Sequence, residues 1–303
     1  MGQHGRAARA VAAAATVGLT VLATGCSADA EADNESPADA AATVHRAADR
    51  LIREGSSRAS TSMEMASGGT RVTIRGEGVY NYRASVGELK VVLPQDPPGA
   101  ARHRPITEVL APGALFMKNR GAGVPADKWV RVESSSLSDG NLVTGGATDP
   151  LAAAELLRGA RRVTYVGETE FAGTRVRHYR GIIDMPAAAR AASPASRASL
   201  AAAAKGFAKD QVPFDVYLDH EGRIRKLRHR FSFVNTKAAS GGPADSADRA
   251  GGADRAKKAK DGKNRKGVVV DVASTTLLYG FGVPAHIDLP DTKDIFAGKI
   301  VED

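Results

Sequence analysis

The sequence predicts an α+β fold: an antiparallel sheet of about ten mostly sequential strands, with three helical segments set between them on one side. Three observations predict it. Apolar residues repeat with period two in one segment after another, the signature of half-buried strands. The helical stretches are few and do not alternate with strands, which argues against a parallel, doubly wound sheet. The chain has 303 residues, 43% of them hydrophobic, enough to bury a sizeable core.

Residues 1–26 have the three parts of an export leader. Arg6 and Arg9 give a basic start, Ala10 to Leu22 is apolar, and Leu22-Ala23-Thr24-Gly25-Cys26 follows. The apolar run is too short to span a hydrocarbon core, which needs roughly 20 residues. Ala23-Thr24-Gly25-Cys26 resembles a bacterial lipobox, although Leu is commoner where Ala23 stands. Cys26 is the single cysteine, so no internal disulfide and no thiolate metal cluster is expected. The expectation is a signal peptide at 1–25 and lipidation at Cys26, anchoring the chain to the extracytoplasmic face of the cell membrane through its acyl chains.

Residues 26–40 are small, polar and acidic and predict a disordered tether. A single domain is expected over 41–303. It opens with an amphipathic helix over Ala41–Glu54 that presents Val44, Ala48, Leu51 and Ile52, ended by Gly55. Strands follow at Ser60–Met65, Arg71–Tyr82 and Glu88–Leu93. In the second of these, Val72, Ile74, Tyr80 and Tyr82 share a face, with Gly76 and Gly78 between them. Residues 94–112 hold five prolines and predict a loop around a short turn at Ile106–Leu110. Gly113–Asn119 and Trp129–Glu133 are strands. Asp149-Pro150 opens a helix, with the proline at its first position, that runs to Gly159.

Arg161–Glu168 and Thr174–Asp184 pair around Ala172-Gly173. The alanine-rich stretch 185–209 predicts helix split near Pro194. Pro213–Leu218 and Arg223–Val234 form a hairpin over Asp219-His220-Glu221-Gly222. Residues 235–266 lack apolar periodicity and predict a flexible basic insertion, after which Val268–Leu278 is a strand and Ala285–Pro290 an edge segment.

Charge and motifs narrow the function. The net charge is +8, and +6 from Cys26 onward, where 40 basic residues meet 34 acidic ones. Nine of those basic residues lie in 235–266. A solvated basic surface fits this, as does attraction to an anionic membrane, cell-wall polymer or acidic partner. No recognition motif for nucleic acid accompanies the charge. The seven histidines lack metal-ligand spacing, and no Gly-x-Ser-x-Gly elbow occurs. Gly121-Ala122-Gly123 lacks the third glycine of a dinucleotide loop. Asp215 and Asp219 share a strand face as a conceivable acid–base pair, but Asp219 reads better as the first residue of a turn. No catalytic residue, metal or cofactor is predicted, and a monomer is expected.

Four local motifs carry a resemblance. They are Trp129-Val130-Arg131-Val132; His178-Tyr179-Arg180-Gly181-Ile182-Ile183-Asp184; Val212 to Asp219 with Glu221 to Leu227; and Tyr279-Gly280-Phe281-Gly282-Val283-Pro284. In this order, behind a lipobox, they resemble the LppX/LprG/LprA/LprF lipoproteins of actinobacteria, whose fold is similar to LolA and LolB. The resemblance covers most of residues 41–290, and the basic insertion departs from it. It implies a LolA-like curved antiparallel half-barrel with helices on its concave side and a hydrophobic cavity between them, used to bind a lipid or lipidated molecule for transfer or presentation in the envelope. Candidate lining residues are Val72, Ile74, Tyr80, Tyr82, Leu115, Met117, Phe214, Val216, Leu218, Phe231 and Phe233. An ordinary filled core would use the same residues, and Gly76 and Gly78 would leave room among them. The alternative is a non-catalytic sensor or regulator that binds an envelope protein partner.

Overall fold

The structure, a computed structural model, describes residues 35–67, 70–94, 104–121, 123–235 and 268–298. The leader, Cys26, the tether up to Asn34 and the insertion after Asn235 lie outside these residues.

Ser36 caps the first helix, accepting a hydrogen bond from the Asp39 amide, and Pro37 takes the first helical position. The predicted helix of residues 41–54 is two helices, α1 (Pro37–His45) and α2 (Ala47–Glu54), separated by a turn at Arg46. It begins four residues earlier than the apolar pattern suggests, so residues 37–40 are helix and not tether. Gly55, at φ +85°, ends α2 as expected.

Six strands then run as a meander: β1 (Ser56–Ser67), β2 (Thr70–Asn81), β3 (Val86–Val92), β4 (Ile106–Ala111), β5 (Ala114–Lys118) and β6 (Trp129–Glu133). After α3 (Pro150–Leu156) comes a second series: β7 (Ala160–Phe171), β8 (Thr174–Asp184), α4 (Met185–Ala191), α5 (Pro194–Gly206), β9 (Gln211–Leu218), β10 (Ile224–Asn235) and β11 (Val268–Tyr279). One 11-stranded sheet results, in the order β6-β5-β4-β3-β2-β1-β11-β10-β9-β8-β7, and every neighbouring pair is antiparallel. The two series meet where β11 pairs with β1, and β6 and β7 remain as separate edges. The predicted class, α+β with a large open antiparallel sheet, is what the chain adopts.

Two expectations are corrected. Ile106–Leu110 is not a turn but strand β4, paired with β3 and β5. Its flanking prolines hide it, and Glu108 occupies an inward position where the alternation calls for an apolar residue. Ala285–Pro290 forms no strand. The segment after β11 instead crosses the outer side of the sheet, where Ile287 and Ile295 pack on Val109, Ala114 and Phe116. Ile295 there makes a lone parallel bridge with Trp129.

The sheet has one apolar face. Register places Met63 beside Ile74, Leu110 beside Leu115, Val216 between Leu227 and Tyr179, and Phe231 beside Val272. These inward residues form a continuous core with α1 through α5. At about 25 cal/mol per Å² of apolar surface, such burial is the main term holding helices to the sheet.

Because β6 and β7 are opposite edges, the chain between them must traverse the whole sheet. Residues 134–159 do so along the apolar face. Their second part is α3, capped by Asp149, which accepts from the amides of Leu151 at 2.8 Å and Ala152 at 3.2 Å. Their first part, 137–149, contains no α-helix and no strand, yet is largely buried.

Candidate functional site

The candidate lining residues come together as a set. Val72, Ile74 and Tyr80 on β2, Leu115 and Met117 on β5, Phe214, Val216 and Leu218 on β9, and Phe231 on β10 point to the same face. Phe233 has the matching register opposite Val270. Tyr82, just past β2, stacks on Tyr80 with ring centroids 5.0 Å apart. Seven of them are essentially sealed: Tyr80, Tyr82, Leu115, Phe214, Val216, Leu218 and Phe231 are each at most 2% exposed. Ile74 and Met117 are buried, and Val72 is half-buried.

The set divides under two covers. Phe231 stacks against Phe207, which follows α5, with centroids 4.9 Å apart. Ile74 and Leu115 lie instead under the traversing segment 137–149. That segment is sandwiched between sheet and helix. A Cβ on Gly76 of β2 would stand 2.9 Å from the Cβ of Ala147, so the room that Gly76 leaves is occupied by Ala147. On its other side, a Cβ on Gly140 would collide with the Ser199 carbonyl of α5, so only glycine lets the two backbones meet there.

The segment holds itself by a few polar contacts. The Asp139 carboxylate accepts from the amides of Asn141 at 3.1 Å, Val143 at 2.8 Å and Thr144 at 2.5 Å. Thr148 Oγ1 lies 2.6 Å from Ser274 Oγ of β11 and donates to the Leu142 carbonyl. A hollow of about 20 Å³, the size of one water, lies between Tyr80, Asn141, Asp149 and Ser199.

Polar groups that the sequence reading passed over sit in this interior. Glu108 is fully buried on β4 between Leu89 and Met117, and neither carboxylate oxygen has a hydrogen-bond partner. Burial pushes its pKa up to about 8, only partly offset by the Arg120 charge and by the Ala147 amide, which is near but outside hydrogen-bonding geometry. His229, between Ser274 and Phe214 in register, is 1% exposed and leaves Nε2 unpartnered. Burial pushes its pKa down to about 3. Asn141 Oδ1 is likewise buried without a partner. The sequence does hold the signal for the first two, since both occupy the inward phase of a period-two pattern.

The Asp215–Asp219 pair does not form. Asp219 is the first residue of the predicted hairpin turn, with Gly222 at φ +77° donating to its carbonyl and Arg223 bonding its carboxylate. Asp215 lies on the outer face beside His178. Among the described residues no group of three or more His, Cys, Asp or Glu is placed to hold a metal ion. No helix among them is long and apolar enough to cross a membrane.

No protein-family model matches the chain, and no curated protein matches it. Several solved structures are similar in chain path. The lipoprotein LppX of Mycobacterium tuberculosis is 11% identical over 84% of this chain and all of that one, with a TM-score of 0.43. LprF of Mycobacterium bovis is 11% identical over 85% of this chain and 99% of that one, with a TM-score of 0.38. A LolA-superfamily protein of Nitrosomonas europaea is 10% identical over 85% of this chain and 97% of that one, with a TM-score of 0.30. These are proteins of the kinds that the four local motifs resemble. At such identities the likeness is one of fold, and the reading of the site rests on its own geometry.

Proposed function

We propose that the chain is a non-catalytic, membrane-anchored lipoprotein of the cell envelope that shelters the acyl part of a lipid or lipidated molecule between the apolar face of its sheet and the cover over that face. The observation that carries this reading is the nature of the cover. Over Ile74, Val91, Glu108 and Leu115 the sheet is capped by an irregular segment with glycines at 140, 145 and 146. A filled, permanent core is normally closed by helix or strand, because buried irregular backbone leaves polar groups hard to satisfy. Here Asn141 Oδ1 within the cover and both Glu108 oxygens beneath it are left without hydrogen-bond partners. Those costs lower the free energy needed to lift the segment, and the surface exposed by lifting it is apolar. An acyl chain recovers the lost burial at about 0.8 kcal/mol per methylene without any directional contact.

Thr148→Ala tests this by removing the hydrogen bond from the cover to Ser274 and the one to Leu142. Uptake of a fluorescent fatty acid should become several-fold faster than in the parent chain. Native mass spectrometry after gentle purification should find acyl lipid on the parent. If neither protein takes up the probe or carries lipid, the reading fails.

A further inference from the structure

The outer face of the β7–β11 half of the sheet carries a cluster of cationic side chains around two adjoining hollows, of about 420 and 450 Å³, that share Pro213 and Arg230. Among the described residues six cations line them, Arg71 of the neighbouring β2 with Arg162, Arg180, Lys209, Arg228 and Arg230, against three carboxylates, Glu64 of β1 with Asp215 and Asp271.

Strand register shows how tightly they are set. Arg180 on β8, Asp215 on β9 and Arg228 on β10 stand side by side, roughly 5 Å apart from strand to strand. Asp215 is already shared: His178 Nε2 lies 2.9 Å from one oxygen, Arg180 Nε 3.5 Å from the same oxygen, and Arg230 Nη2 3.3 Å from the other. One carboxylate cannot neutralise that many cations. Among the described residues Arg71, Arg228 and Lys209 make no ion pair, and Arg162 bonds only the neutral Gln211.

The arginines stay in solvent, with the side chains of Arg180 and Arg230 63% and 52% exposed. Beyond Arg228 and Arg230 the rows continue across β11 and β1 with short side chains, Ala273, Thr275 and Ser62. The surface is therefore a shallow floor of small residues with guanidinium groups standing above it, a form suited to many phosphates in one plane.

We propose that this outer face docks onto an anionic phospholipid surface, with its arginines taking headgroup phosphates. The site is built from other residues than the basic cluster at 255–266, and it does not depend on whether the inner face holds a ligand. It would give the domain a preferred orientation on the membrane, with the sheet's outer face toward the headgroups.

The test uses the full chain with Cys26→Ser, so that no acyl anchor contributes. Binding is measured to vesicles of phosphatidylcholine and to vesicles with about a third phosphatidylglycerol. The readout is the ratio of the two affinities compared between variants, to all of which the leader, with Arg6 and Arg9, contributes equally. The ratio should be well above one at low salt and shrink at high salt. Replacing Arg162 and Arg228 together by Gln should lower it about 25-fold, at roughly fivefold per charge. Thr164→Glu, which adds a carboxylate beside Arg180 on the exposed outer row and removes nothing, should move it the same way. Deleting residues 236–266 should leave that arginine-dependent part in place. The proposal is overturned if neither set of variants changes the ratio or if the deletion alone abolishes it. It is equally overturned if inorganic phosphate at matched ionic strength displaces the protein, which would mark a small-anion site.

Discussion

Glu108 and His229 are the residues at which the interior departs from an apolar filling, and burial moves their pKa values in opposite senses. Glu108 titrates near 8 in the fold against 4.5 unfolded. Its folded pKa is raised, so its contribution to stability is complete below about 4.5 and is lost as pH rises through 8. His229 is lowered from 6.5 to about 3, so its contribution is present above 6.5 and is lost as pH falls toward 3. Glu108→Gln should remove the loss that accrues between about pH 4.5 and 8, stabilising the protein at pH 8 by an amount on the order of 4 kcal/mol. Tm followed from acid to mild alkali checks it. A variant whose Tm falls between about pH 5 and 8 as steeply as the parent's would show that Glu108 is not buried as a neutral acid. The position was legible in principle, because a carboxylate stands in the inward phase of Ile106-Thr107-Glu108-Val109-Leu110. What sequence could not show is that the Arg120 charge offsets its burial only in part.

Two elements were hard to read for physical reasons. Strand β4 is short and flanked by prolines, and its one inward charge breaks the alternation, so local pattern favours a turn while pairing with β3 and β5 favours a strand. Pairing wins because burying Ile106 and Leu110 outweighs a weak local preference. Segment 137–149 has no periodicity at all, since its conformation follows from the traverse between opposite sheet edges and from contacts with Gly76 and α5.

The helices, by contrast, carry their own signals in Ser36-Pro37, Asp149-Pro150 and Ser193-Pro194. They are tied together by one buried charge. Glu155, fully buried, accepts from Arg158 at 2.8 Å and from the Ser193 amide at 2.9 Å, while Arg158 reaches Asp49 of α2 at 2.5 Å. Arg158→Ala should therefore cost about 3–5 kcal/mol, because it strands the Glu155 charge. Chemical denaturation measures this, and a loss under 1 kcal/mol would show that the pair is solvated.

For the whole molecule, the anchoring expectation rests on the leader and Cys26. Expressed in a bacterium with a lipoprotein-processing pathway, the parent chain should partition into the detergent phase and Cys26→Ser into the aqueous phase. Detergent-phase recovery of the variant would mean that something other than this cysteine holds the protein to the membrane.

The alternation of Val72 to Tyr82, Thr174 to Asp184 and Phe214 to Phe233 determined by itself that the chain makes an antiparallel sheet with one apolar face, because a period of two assigns each side chain to a face before any partner is known. Helix starts and hairpin turns were equally local, set by caps, prolines and glycines. Tertiary structure alone decided that β11 closes onto β1, that the chain must cross the apolar face to pass from β6 to β7, and that an irregular segment therefore lies where open space was expected. It also decided that Arg180, Arg228 and Arg230 crowd one carboxylate on the outer face. These are contacts between residues far apart in the chain, fixed by strand order and register, and no local pattern encodes them.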